Sequence, residues 1–464
     1  MKKKIVVIGS GLAGSLICNE LVQKFDVTLL EKGVKGRIKY PDLRFLNKKF
    51  AEVKTCCYGA GGTTNLWHNG LIPISIEDVS DADFREILID ADSYMDRTAA
   101  ALYYTGNSYA ADYRQLKEEV RSFSSALASF PHGIDCLVYP KFFRKLSVSS
   151  DVNVIYSVEK INFGHENGRI SSVRYSIGGQ SYLLKPDVIV LAAGTLGTPG
   201  LVQKITQSVG EGGARAGTGF IDHPMGFVGK VKFKKGIADT IKKFSSYDKG
   251  EYVSRNAVRL KSACGRYSAC AFFRPALTMD NRLAIYKYKS SLGASNGLAR
   301  LKNIFSVKLF HPDIVAEIFA HLFGVNLPGR IYNIMFLAEQ KRGGSSIREE
   351  GGSIQVDWTV ADEEMSIYRT MLAELRQTLL DLADDVKIET DLSDEWLWSA
   401  AHHSGTTSIG STENDLLDLN LKLKCCDNVY VCDGSVIQEH SYANTGLTIG
   451  QLALRLADRI GHGC

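Results

Sequence analysis

The chain has 464 residues, 45% of them hydrophobic and 23% charged, and its 55 basic and 51 acidic side chains leave a formal charge of +4. So even a balance gives no electrostatic case for a nucleic-acid partner or a polybasic membrane patch. The length is enough for two or three domains.

The first segment, MKKKIVVIGSG, begins like a signal peptide, but its apolar run Ile5–Ile8 is far shorter than a signal core and ends in glycines. It reads instead as a strand buried on both faces of a parallel sheet. Gly9, Gly11 and Gly14 then form G-x-G-x-x-G ahead of a helix, with Ser10 and Ala13 in the same turn. In such a turn the first glycine permits the bend, the second lets backbone approach a pyrophosphate, and the third lets helix pack on strand. The anion would sit on the helix N-terminus. Val27–Leu30 is a second strand ending in Glu31 and Lys32. The carboxylate of Glu31 is placed for a ribose hydroxyl and argues against a 2′-phosphorylated cofactor. The motif by itself does not separate FAD from NAD.

Tyr58–Gly70, YGAGGTTNLWHNG, is a glycine-dense loop. Gly62, Thr64 and Asn65 offer donors to a phosphate or a flavin edge, and Trp67 and His68 add flat surfaces with a polar tip. Val158 closes an alternating segment, DVNVIYSV. Pro186–Val202 contains a buried strand, Val188–Leu191, then Ala193 and Gly194, small enough to run close to a dinucleotide, with Pro199 suited to a first helical turn.

Between about 230 and 390 the character shifts toward lysine-rich and aromatic segments. Residues 300–325 alternate basic and apolar side chains around Pro312 and read as a surface hairpin, or as a lid or interfacial patch. Lys341 and Arg342 read as a solvated turn. Asp362–Val386 is predicted to be one amphipathic helix with an acidic start, packed on a sheet. Asn428–Ile460 supplies a last strand, Asp433 and Gly434 at its end, and an apolar-periodic helix from about Leu447. The residues ahead of that helix, Asn444, Thr445 and Gly446, make an end that favours negative charge.

No stretch approaches the ~18 apolar residues of a membrane span, and no CxxC occurs among the ten cysteines, so metal ligation finds no support. The cysteine usage fits a reducing cytoplasm. No repeat or low-complexity tract is visible.

Taken together, GSGLAG, GAGGTTNLW, VIVLAAGTLGTPGLV, FIDHP (Phe220–Pro224), HHSGT and NVYVCDGSVI…ANTGLTI resemble the glucose-methanol-choline (GMC) family of flavoprotein oxidoreductases. The motifs stand in family order at both ends of the chain. The middle resembles the family only faintly, at AEQ (Ala338–Gln340) and VDW (Val356–Trp358).

The resemblance implies an α/β (α+β) protein. A Rossmann-type FAD domain would be assembled from residues 1–232 and 391–464. Residues 233–390 would form an inserted substrate domain, a mostly antiparallel sheet with covering helices. It implies extended FAD and oxidation of a hydroxyl, with electrons passed to oxygen or another acceptor. The register of Gly405-Thr406 places the family's catalytic histidine at His402 and its partner at Asn444, with His403 in a supporting role. A neutral imidazole is a suitable base for a hydroxyl proton near neutral pH, and an amide can orient the same oxygen without titrating. Where some members link FAD covalently through a histidine of the glycine-rich loop, this chain has Asn65, so non-covalent FAD is expected, with His68 as the other possible linkage point. His223 of IDHP is read as structural. Two further readings stay open: a non-redox lyase on the same scaffold, and a flavin-binding protein without catalysis.

Overall fold

The computed structural model describes residues 2–47, 54–67, 69–141, 146–210, 216–287, 311–316 and 329–463. The predicted opening is present as β1 (Lys4–Ile8), a tight turn, α1 (Leu12–Leu21) and β2 (Asp26–Leu30). Further along come β3 (Asn153–Ile155), β4 (Val188–Leu191) and α2 (Gly194–Ser208). An antiparallel set follows: β5 (Pro224–Phe233), β6 (Tyr252–Lys261), β7 (Ser268–Ala276) and β8 (Ile331–Ala338). After it come α3 (Asp362–Leu382) and β9 (Ala383–Ile388), and the chain returns with β10 (Val429–Val431) and α4 (Thr445–Gly461).

Two sheets carry the architecture. The first is parallel throughout, in the order β10-β4-β1-β2-β3, so both ends of the sequence share one layer. Ile5–Ile8 and Val188–Leu191 are buried along almost their whole length, as a parallel strand covered on both faces requires. The second sheet runs β6-β7-β8-β5-β9, with a short Tyr247–Asp248 edge strand. Ile134–Pro140 pairs with β6 and Trp398–Ser399 with β5; every pairing in this sheet is antiparallel. The mixed α/β class is therefore present, with a nucleotide-type parallel sheet beside a large antiparallel one.

Three local readings need correction. The helix expected over 362–386 stops at Leu382, and Ala383–Ile388 is a strand against β5. Only Val386–Ile388 alternates between half-buried and exposed, after the exposed pair Asp384-Asp385, a period of two too short to be read in the sequence. Pro199 does not open its helix, because α2 starts at Gly194 and the proline lies inside it. A proline there cannot donate to the carbonyl four residues back; that carbonyl, of Thr195, accepts instead from the hydroxyl of Thr406 at 3.1 Å. Lys341 is no solvated turn residue: its ammonium lies 2.7 Å from Glu339 and 3.0 Å from Glu439, both largely covered carboxylates.

Of the basic-apolar stretch 300–325, only 311–316 falls within the described residues. There Asp313 and Lys230 form a buried ion pair, its carboxylate held further by the amides of Leu277 and Thr278. The rest of that prediction lies outside the described residues. Among the described residues no helix is long and apolar enough to cross a membrane.

Candidate active site

An elongated cavity of about 1590 Å³, its open mouth included, runs along the carboxyl ends of the parallel strands. Its floor is Ile8 from β1, Leu30 and Glu31 from β2, Ala192 and Ala193 after β4, and Asp433 after β10. This is the crevice where open parallel sheets bind ligands. It reaches from Glu31 after β2 to Asp433 after β10, across the ends of four strands, a span that suits an extended ligand.

Local geometry explains the glycines. Gly9 has φ +106°, and a Cβ there would lie 2.4 Å from the carbonyl oxygen of Ala192. A Cβ on Gly14 would lie 1.9 Å from the carbonyl oxygen of Gly9, so α1 seats directly on the turn. Gly11, by contrast, faces open space and begins α1 with no side-chain cap and no acidic residue in its first turn. The first amides of that helix are therefore directed at the cavity, as an anion site requires. Gly62 presses its backbone against Gly11, where a Cβ would come within 2.9 Å of the Gly11 Cα. This brings the glycine-rich loop over the same helix end.

Glu31 is 4% exposed, and its carboxylate is already occupied by protein donors. One oxygen accepts from the Ser10 amide at 3.0 Å and the Ser10 hydroxyl at 2.6 Å. The other accepts from the amides of Gly33 at 2.6 Å and Gly59 at 2.9 Å. It ties the turn after β1, the turn after β2 and the Tyr58 loop together at the cavity wall. Asp433 does the same on the far side, accepting from the Gly194 amide and the hydroxyl of Thr198; its burial pushes the carboxyl pKa up.

Of the expected cofactor contacts, Gly9, Ser10, Gly11, Ala13, Glu31, Lys32, Gly62, Thr64, Trp67, Val158, Ala193, Gly194, Asp433, Gly434 and Thr445 line the cavity. Gly14 lies behind the turn. Asn65 folds back, donating to the carbonyls of Ala60 and Gly62. Asn444 lies outside the wall as well, its amide 3.4 Å from the carbonyl of Gly70, and His68 falls outside the described residues. Tyr58 and Thr195 of the motif segments also line the cavity, as do Lys204, Glu349 and Ile354, which no motif singled out. The last two sit on a hairpin, Ser346–Glu350 and Ser353–Asp357, that pairs with Leu43–Phe45. A Gly-Gly between two alternating segments is the turn signal that could have found it.

At one end of the cavity, two motifs pair as antiparallel backbone. Ile221 and Ser404 exchange amide bonds at 3.1 and 2.9 Å, and the Ala400 amide donates to the His223 carbonyl. The carboxylate of Asp222, fully buried, accepts from the amides of His223 at 2.7 Å and His402 at 2.9 Å and from the Ser399 hydroxyl. Behind it, Gln340 accepts from the Asp222 amide and from the Trp358 indole, joining the faint AEQ and VDW motifs to this point.

Ala401 has φ +62°, a left-handed conformation uncommon for a residue with a Cβ. It turns the chain so that the neighbouring imidazoles diverge. The His403 ring lies among Phe45, Phe220 and Asp222, with Nε2 3.5 Å from that carboxylate. Its carbonyl is held by the Thr195 hydroxyl at 2.6 Å. The half-buried His402 ring turns to His223, with the two Nδ1 atoms 2.8 Å apart. Among the described residues nothing bonds His402 Nε2. Burial lowers the pKa of His402 to about 4, Asp222 opposing and His403 adding to the fall. Burial alone takes His403 to about 4.

Residues 347–453 match the family model described as GMC oxidoreductase. A comparison with curated proteins gives no match. The fold is similar to pyridoxine 4-oxidase from Mesorbium loti, with a TM-score of 0.61 and 14% identity over 100% of both chains. It is also similar to formate oxidase, with a TM-score of 0.58 and 13% identity over 99% of this chain and 98% of that one. A glycine-bounded cradle on a parallel sheet, an antiparallel sheet beside it and a histidine on the loop between them thus accompany a C-terminal segment that matches the GMC oxidoreductase model.

Proposed function

We propose that the protein is an FAD-dependent oxidoreductase that converts the CH–OH group of a small or carrier-bound alcohol to a carbonyl. The observation that carries this is His402: one ring nitrogen is held by protein and the other has no partner among the described residues, on a loop whose Ala401 and His403 line the cavity. FAD in that cavity would supply the hydride acceptor. The uncapped start of α1 would hold its pyrophosphate, and Lys32, Val158 and Glu31 would line the adenosine end. His402 Nε2 takes the hydroxyl proton as the C–H hydride leaves, so the C=O bond forms with its charge balanced. Asn444, at the start of α4 and spending no side-chain bond on capping, orients the same oxygen.

Residues 1–232 and 391–464 serve the cofactor and 233–390 the substrate, apart from the 346–357 hairpin, which reaches back to the cavity, and residues 134–140, 224–232 and 398–399, which join the antiparallel sheet. Non-covalent attachment is supported by Asn65, whose amide is spent on its own loop. The fold neighbours are named as oxidases, so oxygen is the acceptor to test first. The even charge and cysteine usage support a cytoplasmic setting.

The test is anaerobic mixing of the purified yellow protein with an alcohol panel. Flavin should bleach with at least one alcohol, and His402→Gln should slow that bleaching by about 10²–10⁴-fold while retaining flavin. Acid precipitation should release the colour to the supernatant. Failure of every alcohol to bleach the flavin sinks the redox reading, and colour in the pellet sinks non-covalent binding.

A further inference from the structure

The hydrogen-bonding pattern around His223 goes beyond a structural role. His223 is fully buried, and its Nε2 lies 2.8 Å from the carbonyl oxygen of Ser441. A carbonyl only accepts, so Nε2 carries the hydrogen. The ring is packed against the His440 imidazole, with centroids 3.8 Å apart, and edge-on to His402 at 5.0 Å. The Asp222 carboxylate spends its bonds on backbone amides and Ser399, so among the described residues the His223 ring has no acidic partner. Burial, with His440 and His402 adding to it, keeps the ring neutral. A neutral imidazole with hydrogen on Nε2 has only a lone pair at Nδ1. The contact of 2.8 Å to His402 Nδ1 then requires His402 to donate, which leaves the lone pair of His402 at Nε2.

We infer that His223 is the positioning residue for the base: through Ser441 it fixes the tautomer of His402, so that Nε2, the uncommitted atom, is the proton acceptor. Which ring nitrogen carries the proton is set by the bond the other one makes; here that partner is a second histidine whose own tautomer is set by a backbone carbonyl. The inference rests on His402 as the base, but the tautomer is readable without turnover.

The experiment uses the flavin-loaded protein with ¹⁵N-labelled histidine and records long-range ¹H–¹⁵N correlations of the imidazoles near pH 7.5. The His402 signals are assigned by their loss in His402→Gln. The expected result is hydrogen on Nδ1 for His402 and on Nε2 for His223. His402 with hydrogen on Nε2 in the unmodified protein overturns the inference.

Two variants extend the test. His223→Gln keeps one acceptor and one donor, so the His402 tautomer and the alcohol-dependent bleaching rate should stay within a few-fold. His223→Leu removes both, so His402 should shift toward the Nε2–H form and kcat should fall about 10–100-fold, with KM little changed. An unshifted His402 in a folded His223→Leu protein refutes the inference. Should that variant not fold, the tautomers of the unmodified and His223→Gln proteins decide. Should no alcohol reduce the flavin, the spectra still report on the tautomer, so failure of the redox reading and failure of this one are told apart.

Discussion

His402 and His403 are adjacent in sequence and opposite in environment, and the cause is one backbone angle. The left-handed Ala401 and the ladder to Ile221 send one ring to His223 and the other into an aromatic pocket. The groups facing His402 are Asp222, His223 and His403, with His440 behind His223 and Lys341 beyond His440. With its pKa brought down to about 4, His402 stays unprotonated, and able to accept, well into acid. The kcat/KM for alcohol should therefore be flat from neutral pH to about 5 and fall by one proton below about 4. An ordinary imidazole would lose activity near 6.5. Stopped-flow flavin reduction across pH 3.5–8 measures this, and an inflection near 6.5 assigned to His402 would contradict the burial described.

At the scale of elements, α2 is joined to the HHSGT segment by one hydrogen bond that compensates for a proline. Thr406→Val deletes the donor to the Thr195 carbonyl that Pro199 leaves open, and should destabilise by about 1–3 kcal/mol. Its neighbour Thr407 is equally buried, but its hydroxyl has no partner among the described residues. Thr407→Val should be neutral or stabilising by about 1 kcal/mol, because it removes an unmet polar group from the interior. Urea midpoints of the two variants, side by side, check the contrast; equal losses would mean that the Thr406 bond contributes nothing.

This pair also marks what was legible in the sequence. A strand buried on both faces announces itself as an unbroken apolar run, and the glycines around it follow from local sterics, so β1, α1, β2 and the closing β10-α4 unit could be placed from sequence alone. Pro199 could not, since whether a proline opens a helix or sits inside it depends on a threonine two hundred residues away. The 346–357 hairpin is legible as a hairpin but not as a neighbour of Leu43–Phe45. His223 looked like filler because its importance lies in which atom of another histidine it faces, and no local pattern encodes that.

For the molecule as a whole, four histidines, 223, 402, 403 and 440, are held in positions where burial depresses their pKa, the last to about 3. In the unfolded chain each titrates near 6.5. The stability they contribute is complete above that value and is lost as pH falls toward their folded values, because only the unfolded state then takes up protons. Each pKa unit corresponds to about 1.4 kcal/mol, which is not small beside the ~5–15 kcal/mol of a typical fold. Asp222, Asp433 and Glu339 act oppositely, since their raised pKa values favour the native state in acid. Between pH 6.5 and 4.5 the two sets pull against each other, since the unfolded carboxyl groups are still charged there while buried native ones take up protons. Removing one imidazole isolates its share: across that window denaturant midpoints should fall more steeply in the unmodified protein than in His440→Gln. Equal slopes would mean that His440 takes up its proton in the folded state without cost.

The parallel sheet draws its outer strand β10 from the far end of the sequence, beside β4. During synthesis the roughly 240 residues between them take about 10–50 s to emerge. Throughout that interval β4 has a bare edge, and the cradle lacks Asp433, Gly434 and Thr445. The nucleotide can be captured only once translation is almost finished. Loading is thereby coupled to completion, and a chain cut short before β10 has no closed cradle to fill.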